Sequence, residues 1–168
     1  ASGTVTSNQT AGDCKKNQCD GAGNELNVTD TADVPADDGN QCTGETCNGS
    51  TPSHPALAIN TSCSQGGGTV CNASATCVQC NVGTQCSGTD TDCHVRTCIS
   101  ETCGVSNMAS GTVTSSQTAG DCKENQCDGS GNIVPVNKDT DVPVDGNQCT
   151  SDVCTAGVPS NPALSVGT

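Results

Sequence analysis

The chain opens with ASGTVTSNQTAGDCKKNQCDGAGN (1–24), and almost the same stretch returns as ASGTVTSSQTAGDCKENQCDGSGN (109–132). The two copies differ at three pairs of positions, which are Asn8/Ser116, Lys16/Glu124 and Ala22/Ser130. The match resumes with DVPADDGNQCTGETC (33–47) against DVPVDGNQCTSDVC (141–154), and then with PSHPALAINT (52–61) against PSNPALSVGT (159–168). The sequence is therefore a tandem repeat with a period of about 108 residues.

This repeat defines the expected domains. We expect residues 1–108 to form one complete cysteine-rich unit with sub-blocks 1–60 and 61–108, and residues 109–168 to form the truncated first part of a second unit. A long period punctuated by Gly, Pro and Asn is typical of an array of modules, because thin solenoids repeat every 20–50 residues or so. We therefore expect small modules in tandem, arranged as an elongated array.

The 16 cysteines fall into four groups of four. The fourth group repeats the first, and in chain order the groups are Cys14, Cys19, Cys42, Cys47; Cys63, Cys71, Cys77, Cys80; Cys86, Cys93, Cys98, Cys103; and Cys122, Cys127, Cys149, Cys154. Four cysteines allow three connectivities, and the sequence does not choose among them. We expect first-to-third and second-to-fourth pairing in each group, because Cys14–Cys19 and Cys42–Cys47 bridges would close short loops that constrain the unfolded chain less.

The composition excludes a conventional hydrophobic core. The chain has no Phe, Tyr or Trp, and Val, Leu and Ile together make up only 22 of 168 residues. A charged chain with under roughly 20% large apolar residues stays disordered unless something else holds it together. An even number of cysteines in such a chain indicates disulfides formed in an oxidising compartment. We expect all 16 cysteines to be disulfide-bonded and the protein to be extracellular or on the cell surface.

The charge and the cysteine spacing limit the partners. The formal net charge of −13 disfavours nucleic acid and anionic membrane surfaces, which bind clustered Lys and Arg. No stretch approaches the roughly 18 apolar residues of a membrane span. Metal binding is the rival use of cysteine, but Cys-Cys and Cys-x-Cys pairs are absent, and Cys77/Cys80 is a lone C-x2-C pair without a second at zinc spacing.

The local sequence predicts loops, turns and short β-hairpins, with essentially no helix and no aromatic core. Apolar residues at helical spacing never persist beyond one turn. Short strands are predicted at Thr76–Gln79, Gly111–Thr114 and Ile133–Val136. Cys-Asp-Gly (19–21, 127–129) and Asp-Gly-Asn (38–40, 145–147) predict turns in which Gly accepts a positive φ.

Two stretches are similar to a known class of repeat. VCNASATCVQCNVGTQCSGTDTDCHVRTCISETCGV (70–105) and DVPVDGNQCTSDVCTAGVPSNPAL (141–164) resemble cysteine-rich repeats in secreted and surface proteins of myxobacteria and related bacteria. The most specific elements are GTDTDC-x4-C-x4-CG (88–104) and DGNQCT-x3-C (145–154). The resemblance covers most of the chain and implies an extracellular location, tandem repetition and no enzymatic activity tied to the repeat.

Acidic residues cluster in corresponding places of both copies, and they suggest calcium. The candidate ligands are Asp33, Asp37 and Asp38 in the first copy and Asp139, Asp141 and Asp145 in the second. Calcium takes six to eight oxygen ligands, which closely spaced carboxylates and carbonyls can supply. The spacing does not match an EF-hand loop, and the alternative, which we favour, is a solvated acidic turn.

Catalytic residues are not expected, and the chain is not predicted to be an enzyme. His54 and His94 are the only histidines, and the second copy replaces His54 with Asn161. His94 follows Cys93, whose sulfur is expected in a disulfide and is then unavailable as a nucleophile. No organic cofactor is expected, and calcium is the one ion that the sequence suggests.

Glycosylation is predicted from sequons and from composition. Acceptor sequons stand at Asn8, Asn27, Asn48, Asn60 and Asn72, although the second copy lacks the first four. The chain also has 23 Thr and 17 Ser, and extracellular segments rich in Ser, Thr and Pro are commonly O-glycosylated.

Two functions follow from these patterns. The first is a structural extracellular repeat protein, a component of a stalk, filament or surface coat, with copies of itself and covalent glycans as partners. The alternative is an adhesion or binding module for a sugar, a protein or a calcium-bridged partner. The lack of aromatic anchors and the single arginine, Arg96, favour the structural role.

Overall fold

The computed structural model describes residues 1–165 and residue 167. This part of the chain has no α-helix, so no helix in it could span a membrane. Two short 3₁₀ turns lie at Gln65–Gly67 and Gly83–Gln85. The strands are β1 (Lys15–Cys19), β2 (Glu25–Thr29), β3 (Thr46–Asn48), β4 (Thr51–Ser53), β5 (Val70–Cys71), β6 (Cys77–Val78), β7 (His94–Ile99), β8 (Thr102–Asn107), β9 (Lys123–Cys127), β10 (Ile133–Asn137), β11 (Val153–Thr155) and β12 (Val158–Ser160).

Each strand pairs with its neighbour in sequence, so the strands form two-stranded sheets rather than one larger sheet. The pairing is antiparallel, as in β1–β2, where Lys15 lies opposite Thr29 and Cys19 opposite Glu25. The expected fold class, short hairpins and turns held by disulfides without helices or an aromatic core, is confirmed. An isolated two-stranded hairpin is at best marginally stable in water, so these hairpins need another source of stability.

Asp-Gly turns close the β1–β2 and β9–β10 hairpins through side-chain hydrogen bonds. The Asp20 carboxylate accepts the N–H groups of Ala22 at 2.6 Å and Asn24 at 3.0 Å, and its second oxygen accepts the Asn24 side-chain amide at 2.8 Å. Gly21 has a φ of +87°, which a residue with a Cβ rarely adopts. The turn of the second copy repeats this arrangement with Asp128 as the acceptor. The turns predicted from Cys-Asp-Gly are therefore confirmed.

The three predicted strands have different outcomes. Ile133–Val136 lies within β10, and Thr76–Gln79 contains β6. Gly111–Thr114 is not a strand, because it makes only an isolated bridge between Val113 and Gln126. Strand β9, to which Gln126 belongs, already pairs with β10 on its other side.

Disulfides form the buried interior. Among the described residues, the buried apolar side chains are cysteines apart from Pro35 and Val78. Fifteen Val, Leu and Ile side chains are instead exposed, including Ile99 at 71% and Val144 at 81%. The aliphatic residues therefore do not form the core, and covalent bridges take the place of apolar packing, as in other small disulfide-rich domains.

The chain forms two compact units. The first comprises Ala1–Gln85 with Ser100–Thr102, and the second comprises Cys86–Ile99 with Cys103–Thr168. The first unit thus contains the first copy of the repeated segment followed by the second cysteine group. The second unit contains the third cysteine group followed by the second copy of the repeated segment.

The two copies fold alike. Val5 bridges Gln18 in the first copy, and Val113 bridges Gln126 at the same positions of the second. Near the end of each copy, Thr43 bridges Ala56 and Thr150 bridges Ala163. Corresponding residues of the two copies can therefore be compared directly.

Candidate functional site

The disulfide network is the main chemical feature of the structure. Fourteen of the 16 cysteines are disulfide-bonded, whereas Cys19 and Cys149 are free thiols, which differs from the expectation that all 16 are bonded. The bridges are Cys14–Cys47, Cys42–Cys71, Cys63–Cys77, Cys86–Cys103, Cys93–Cys127 and Cys122–Cys154, and Cys80 and Cys98 are also bonded.

The expected pairing within each group is wrong at most positions. Only Cys63–Cys77 joins the first and third cysteines of its group. The other groups join first to fourth, as in Cys14–Cys47, and two bridges, Cys42–Cys71 and Cys93–Cys127, join different groups. These bridges therefore connect the first group to the second and the third group to the fourth, as well as closing each group.

The first-to-fourth bridge follows from the loop around Asp33. The Cys14 N–H donates to the Asp33 carbonyl oxygen at 3.1 Å, and the sulfur of Cys47 lies 3.5 Å from the same oxygen. In the second copy, the Cys122 N–H donates to the Asp141 carbonyl at 3.1 Å. This carbonyl brings the start of the first hairpin next to the strand that carries the fourth cysteine.

The Asp33 carboxylate fastens the same loop. One oxygen accepts the N–H of Gly12 at 2.9 Å and the other accepts the N–H of Asp13 at 3.0 Å, and these bonds hold the pKa of Asp33 below its ordinary value. A methyl group at Gly12 would lie only 3.2 Å from the Pro35 Cα. The second copy repeats the contact, with Asp141 accepting the N–H of Gly120 at 2.9 Å.

The Gly39–Cys42 segment connects the first cysteine group to the second. Beside the Cys42–Cys71 bridge, the Asn40 side-chain amide donates to the Ala75 carbonyl at 2.9 Å. Gln41 Oε1 accepts the N–H of Ser64 at 2.6 Å. The Gln65 side-chain amide completes the contact by donating to the Gly39 carbonyl at 2.9 Å. We call this segment the downstream clasp.

A second interface joins the third cysteine group to the second copy. Beside the Cys93–Cys127 bridge, the Asp92 carboxylate accepts the Ser115 hydroxyl at 2.7 Å and the Ser115 N–H. These bonds lower the pKa of Asp92. His94 Nδ1 lies 3.3 Å from the Gly131 carbonyl, so this imidazole has a structural contact in the interface.

The lone arginine holds the loop before β7. Arg96 Nε donates to Asp90 Oδ1 at 3.0 Å, and the Arg96 backbone N–H donates to the same oxygen at 2.7 Å. A third bond runs from Arg96 Nη1 to the Cys86 carbonyl at 3.0 Å. Hydrogen bonds from Arg96 lower the pKa of Asp90, and the carboxylate raises that of the guanidinium. The guanidinium of Arg96 thus binds groups within the loop that precedes its own strand.

The six candidate calcium ligands hold turns. In addition to Asp33 and Asp141, Asp37 accepts the Gly39 N–H at 2.7 Å and Asp139 accepts the Gly157 N–H at 2.9 Å. The corresponding residues Asp38 and Asp145 each accept a threonine hydroxyl and a backbone N–H.

Among the described residues, Asp38 alone of the six belongs to a cluster of potential metal ligands, with Glu45 and His54. His54 Nδ1 lies 3.8 Å from Asp38 Oδ2 and 4.0 Å from Glu45 Oε1. Exposed clusters of this kind are common without a metal ion, and the turn-holding bonds of the aspartates account for their positions. Calcium binding therefore stays a prediction.

Four of the five sequon asparagines are exposed, namely Asn8, Asn27, Asn48 and Asn60. Asn72 is only 7% exposed. Its side-chain amide donates to Glu101 Oε1 at 2.5 Å, and its Oδ1 accepts the N–H of Thr76 at 2.9 Å. A sugar on Asn72 would have to displace these bonds, whereas the other four sites are accessible.

Comparisons with protein-family models, with curated proteins and with solved structures found no match. The resemblance to bacterial cysteine-rich surface repeats therefore stays a prediction. The functional argument depends on the disulfide network and on the two interfaces that accompany its inter-group bridges.

Proposed function

We propose that the chain is part of a structural extracellular repeat protein that contributes to a stalk, filament or surface coat. The observation that carries this proposal is the overlap of successive disulfide loops. The Cys14–Cys47 loop overlaps the Cys42–Cys71 loop, and the Cys93–Cys127 loop overlaps the Cys122–Cys154 loop. Overlapping loops limit how far the chain can be stretched, which is a property that a load-bearing element needs.

An upper bound on this limit follows from one covalent path between Cys14 and Cys154. The path crosses four bridges and follows the backbone for five residues from Cys47 to Cys42, 22 from Cys71 to Cys93 and five from Cys127 to Cys122. At roughly 3.5 Å per extended residue, it spans no more than about 130 Å, against about 490 Å for the reduced chain.

The surface also suits a scaffold. The 18 acidic residues against five basic ones give strong self-repulsion and solubility, which suits an exposed extracellular chain. Protein-binding surfaces depend on buried Trp, Tyr and Arg anchors, and the chain contains no Trp or Tyr. These features support the structural role over the alternative of an adhesion module.

Covalent glycans are part of the proposal. The four exposed sequon asparagines and the numerous Thr and Ser residues offer attachment sites. Hydrophilic glycans on these sites would cover the backbone of the short hairpins without disturbing the bridges.

Electron microscopy of the native material tests the structural role. We expect long, uniform filaments or stalks with a periodicity of one repeat unit. Compact, monodisperse particles would contradict the proposal and favour the binding-module alternative.

A further inference from the structure

The two free thiols occupy positions whose counterparts are bonded elsewhere in the chain. Cys19 corresponds to Cys127, which is bonded to Cys93, and Cys149 corresponds to Cys42, which is bonded to Cys71. Both counterparts are bonded to a cysteine of another group. Every one of the 12 cysteine positions of a period is thus disulfide-bonded at least once in the structure.

Burial separates the free members from the bonded ones. Cys127 is 1% exposed and Cys42 is fully buried, whereas Cys19 is half-buried and Cys149 is exposed. The local backbone does not cause this difference, because the copies share their hairpin registers and their turns. The difference comes from the neighbouring cysteine groups. The third group covers Cys127 but not Cys19, and the second group covers Cys42 but not Cys149.

The face around Cys19 matches the face that the third cysteine group covers in the second copy. Ser7 corresponds to Ser115, which Asp92 binds in the second copy, yet Ser7 is exposed and makes no hydrogen bond to the described residues. A methyl group at Gly131 would lie 2.9 Å from Asn107 Oδ1, whereas one at the corresponding Gly23 would contact nothing within 4 Å.

The face around Cys149 matches the downstream clasp. Asn147 Oδ1 accepts the Cys149 N–H at 3.0 Å, as Asn40 does for Cys42, so the same turn is already formed. Gln148 corresponds to Gln41, which binds the second cysteine group in the first copy. In the described part of the chain, however, Gln148 is exposed and its side chain has no hydrogen-bond partner.

We propose that Cys19 and Cys149 are the two open ends of the disulfide network, and that each bonds to a cysteine of a further copy of the repeat. Cys19 forms a disulfide with a counterpart of Cys93, and Cys149 forms one with a counterpart of Cys71. In each new bridge, two thiols lose two protons and two electrons and form one disulfide, while a disulfide such as oxidised glutathione takes them up and is reduced to two thiols. The inference rests on the proposed function, since it assumes that the repeat continues as a covalently linked array.

The experiment extends the chain with its own repeat. A copy of residues 62–108 is added after Thr168, the protein is oxidised in a glutathione buffer, and free thiols are alkylated before peptide mapping. We expect Cys149 to bond to the added counterpart of Cys71 and to lose its alkylation. The free thiols should then be Cys19 and the added counterpart of Cys93.

Two controls make the result specific. In the unextended chain we expect alkylation of Cys19 and Cys149 and of no other cysteine. In an extended variant whose added counterpart of Cys71 is serine, Cys149 should be alkylated again. If Cys149 stays alkylatable in the extended chain, or bonds to any other cysteine, the proposal is overturned.

The same samples show whether the partner cysteine comes from the same polypeptide or from a separate molecule. Linkage within one extended chain shows that the same polypeptide can supply it. Disulfide-linked multimers of the extended chain that disappear after Cys19→Ser would show that a separate molecule can also supply it. Compact particles in microscopy would contradict the filament but leave these linkages intact, so the two proposals fail separately.

Discussion

Stretching single molecules between Ala1 and Thr168 measures the extension limit set by the disulfides. The free thiols Cys19 and Cys149 are alkylated first, so that the measurement reports only the bridges within the chain. The 108 residues that the covalent path bypasses become extensible on reduction, and four bridges with Cα–Cα distances near 5.5 Å are lost. The reduced chain should therefore extend at least about 360 Å further than the oxidised chain.

Paired substitutions divide this gain into parts. Cys14→Ser/Cys47→Ser replaces a five-residue segment of the covalent path with the 28 residues from Cys14 to Cys42. The oxidised variant should extend about 75 Å further than the parent chain. The corresponding variant of the second copy, Cys122→Ser/Cys154→Ser, should gain about 70 Å for the same reason.

The Cys63–Cys77 bridge provides the matched control. It lies off this covalent path, because the Cys42–Cys71 bridge already bypasses the loop that contains Cys63. Cys63→Ser/Cys77→Ser should therefore leave the maximum extension unchanged. Equal gains for this variant and for Cys14→Ser/Cys47→Ser, or an oxidised parent chain as extensible as the reduced one, would refute the reasoning.

Three further predictions concern packing, pH and glycans. Gly131→Ala should destabilise the chain by about 0.5–1.5 kcal/mol more than Gly23→Ala, because only at Gly131 must a side chain, that of Asn107, leave its rotamer, while both positions have positive φ. Urea unfolding followed by circular dichroism measures the difference, and equal effects would contradict the docked interface. Acidification below about pH 4 should lower the unfolding temperature, because the folded-state pKa values of Asp20 and Asp128 lie below the unfolded value. The stabilisation by these two carboxylates is lost as the pH falls through their folded-state pKa values, so Asp20→Asn/Asp128→Asn should flatten the dependence of the unfolding temperature on pH. The intact mass of the native protein should exceed that of the bare polypeptide, and equality would exclude glycans.

The sequence predicts the fold class well because composition alone constrains it. Without aromatic residues and with few large aliphatic ones, disulfides are the main remaining source of stability, and buried cysteines such as Cys14 and Cys122 confirm this. The turns are equally local, because Asp20 and Gly21 determine their shape within a few residues.

The connectivity could not be predicted in the same way because it depends on contacts between groups. Nothing within the first group shows that Asn40 and Gln41 contact the second group and place Cys42 beside Cys71. One signal was present in the sequence: both copies retain Gly-Asn-Gln-Cys-Thr, although a turn alone does not require Gln41. Its retention is consistent with a role in binding the next group.

The candidate calcium ligands illustrate a related limit. A cluster of aspartates looks the same in a sequence whether the carboxylates bind an ion or accept backbone N–H groups. The structure shows that Asp33 binds two N–H groups of the loop before Cys14 and that Asp37 caps its own turn. These contacts depend on the fold of the loop, which the spacing of the aspartates does not reveal.

Disulfide mapping of the non-reduced chain tests the central claim, that bridges join the first cysteine group to the second and the third group to the fourth. Digestion and mass spectrometry at acidic pH, where thiol exchange is slow, identify the linked peptides. The structure predicts peptides that join Cys42 to Cys71 and Cys93 to Cys127. Bridges confined to single groups, such as Cys14 to Cys42, would contradict the network and the mechanical role proposed for it.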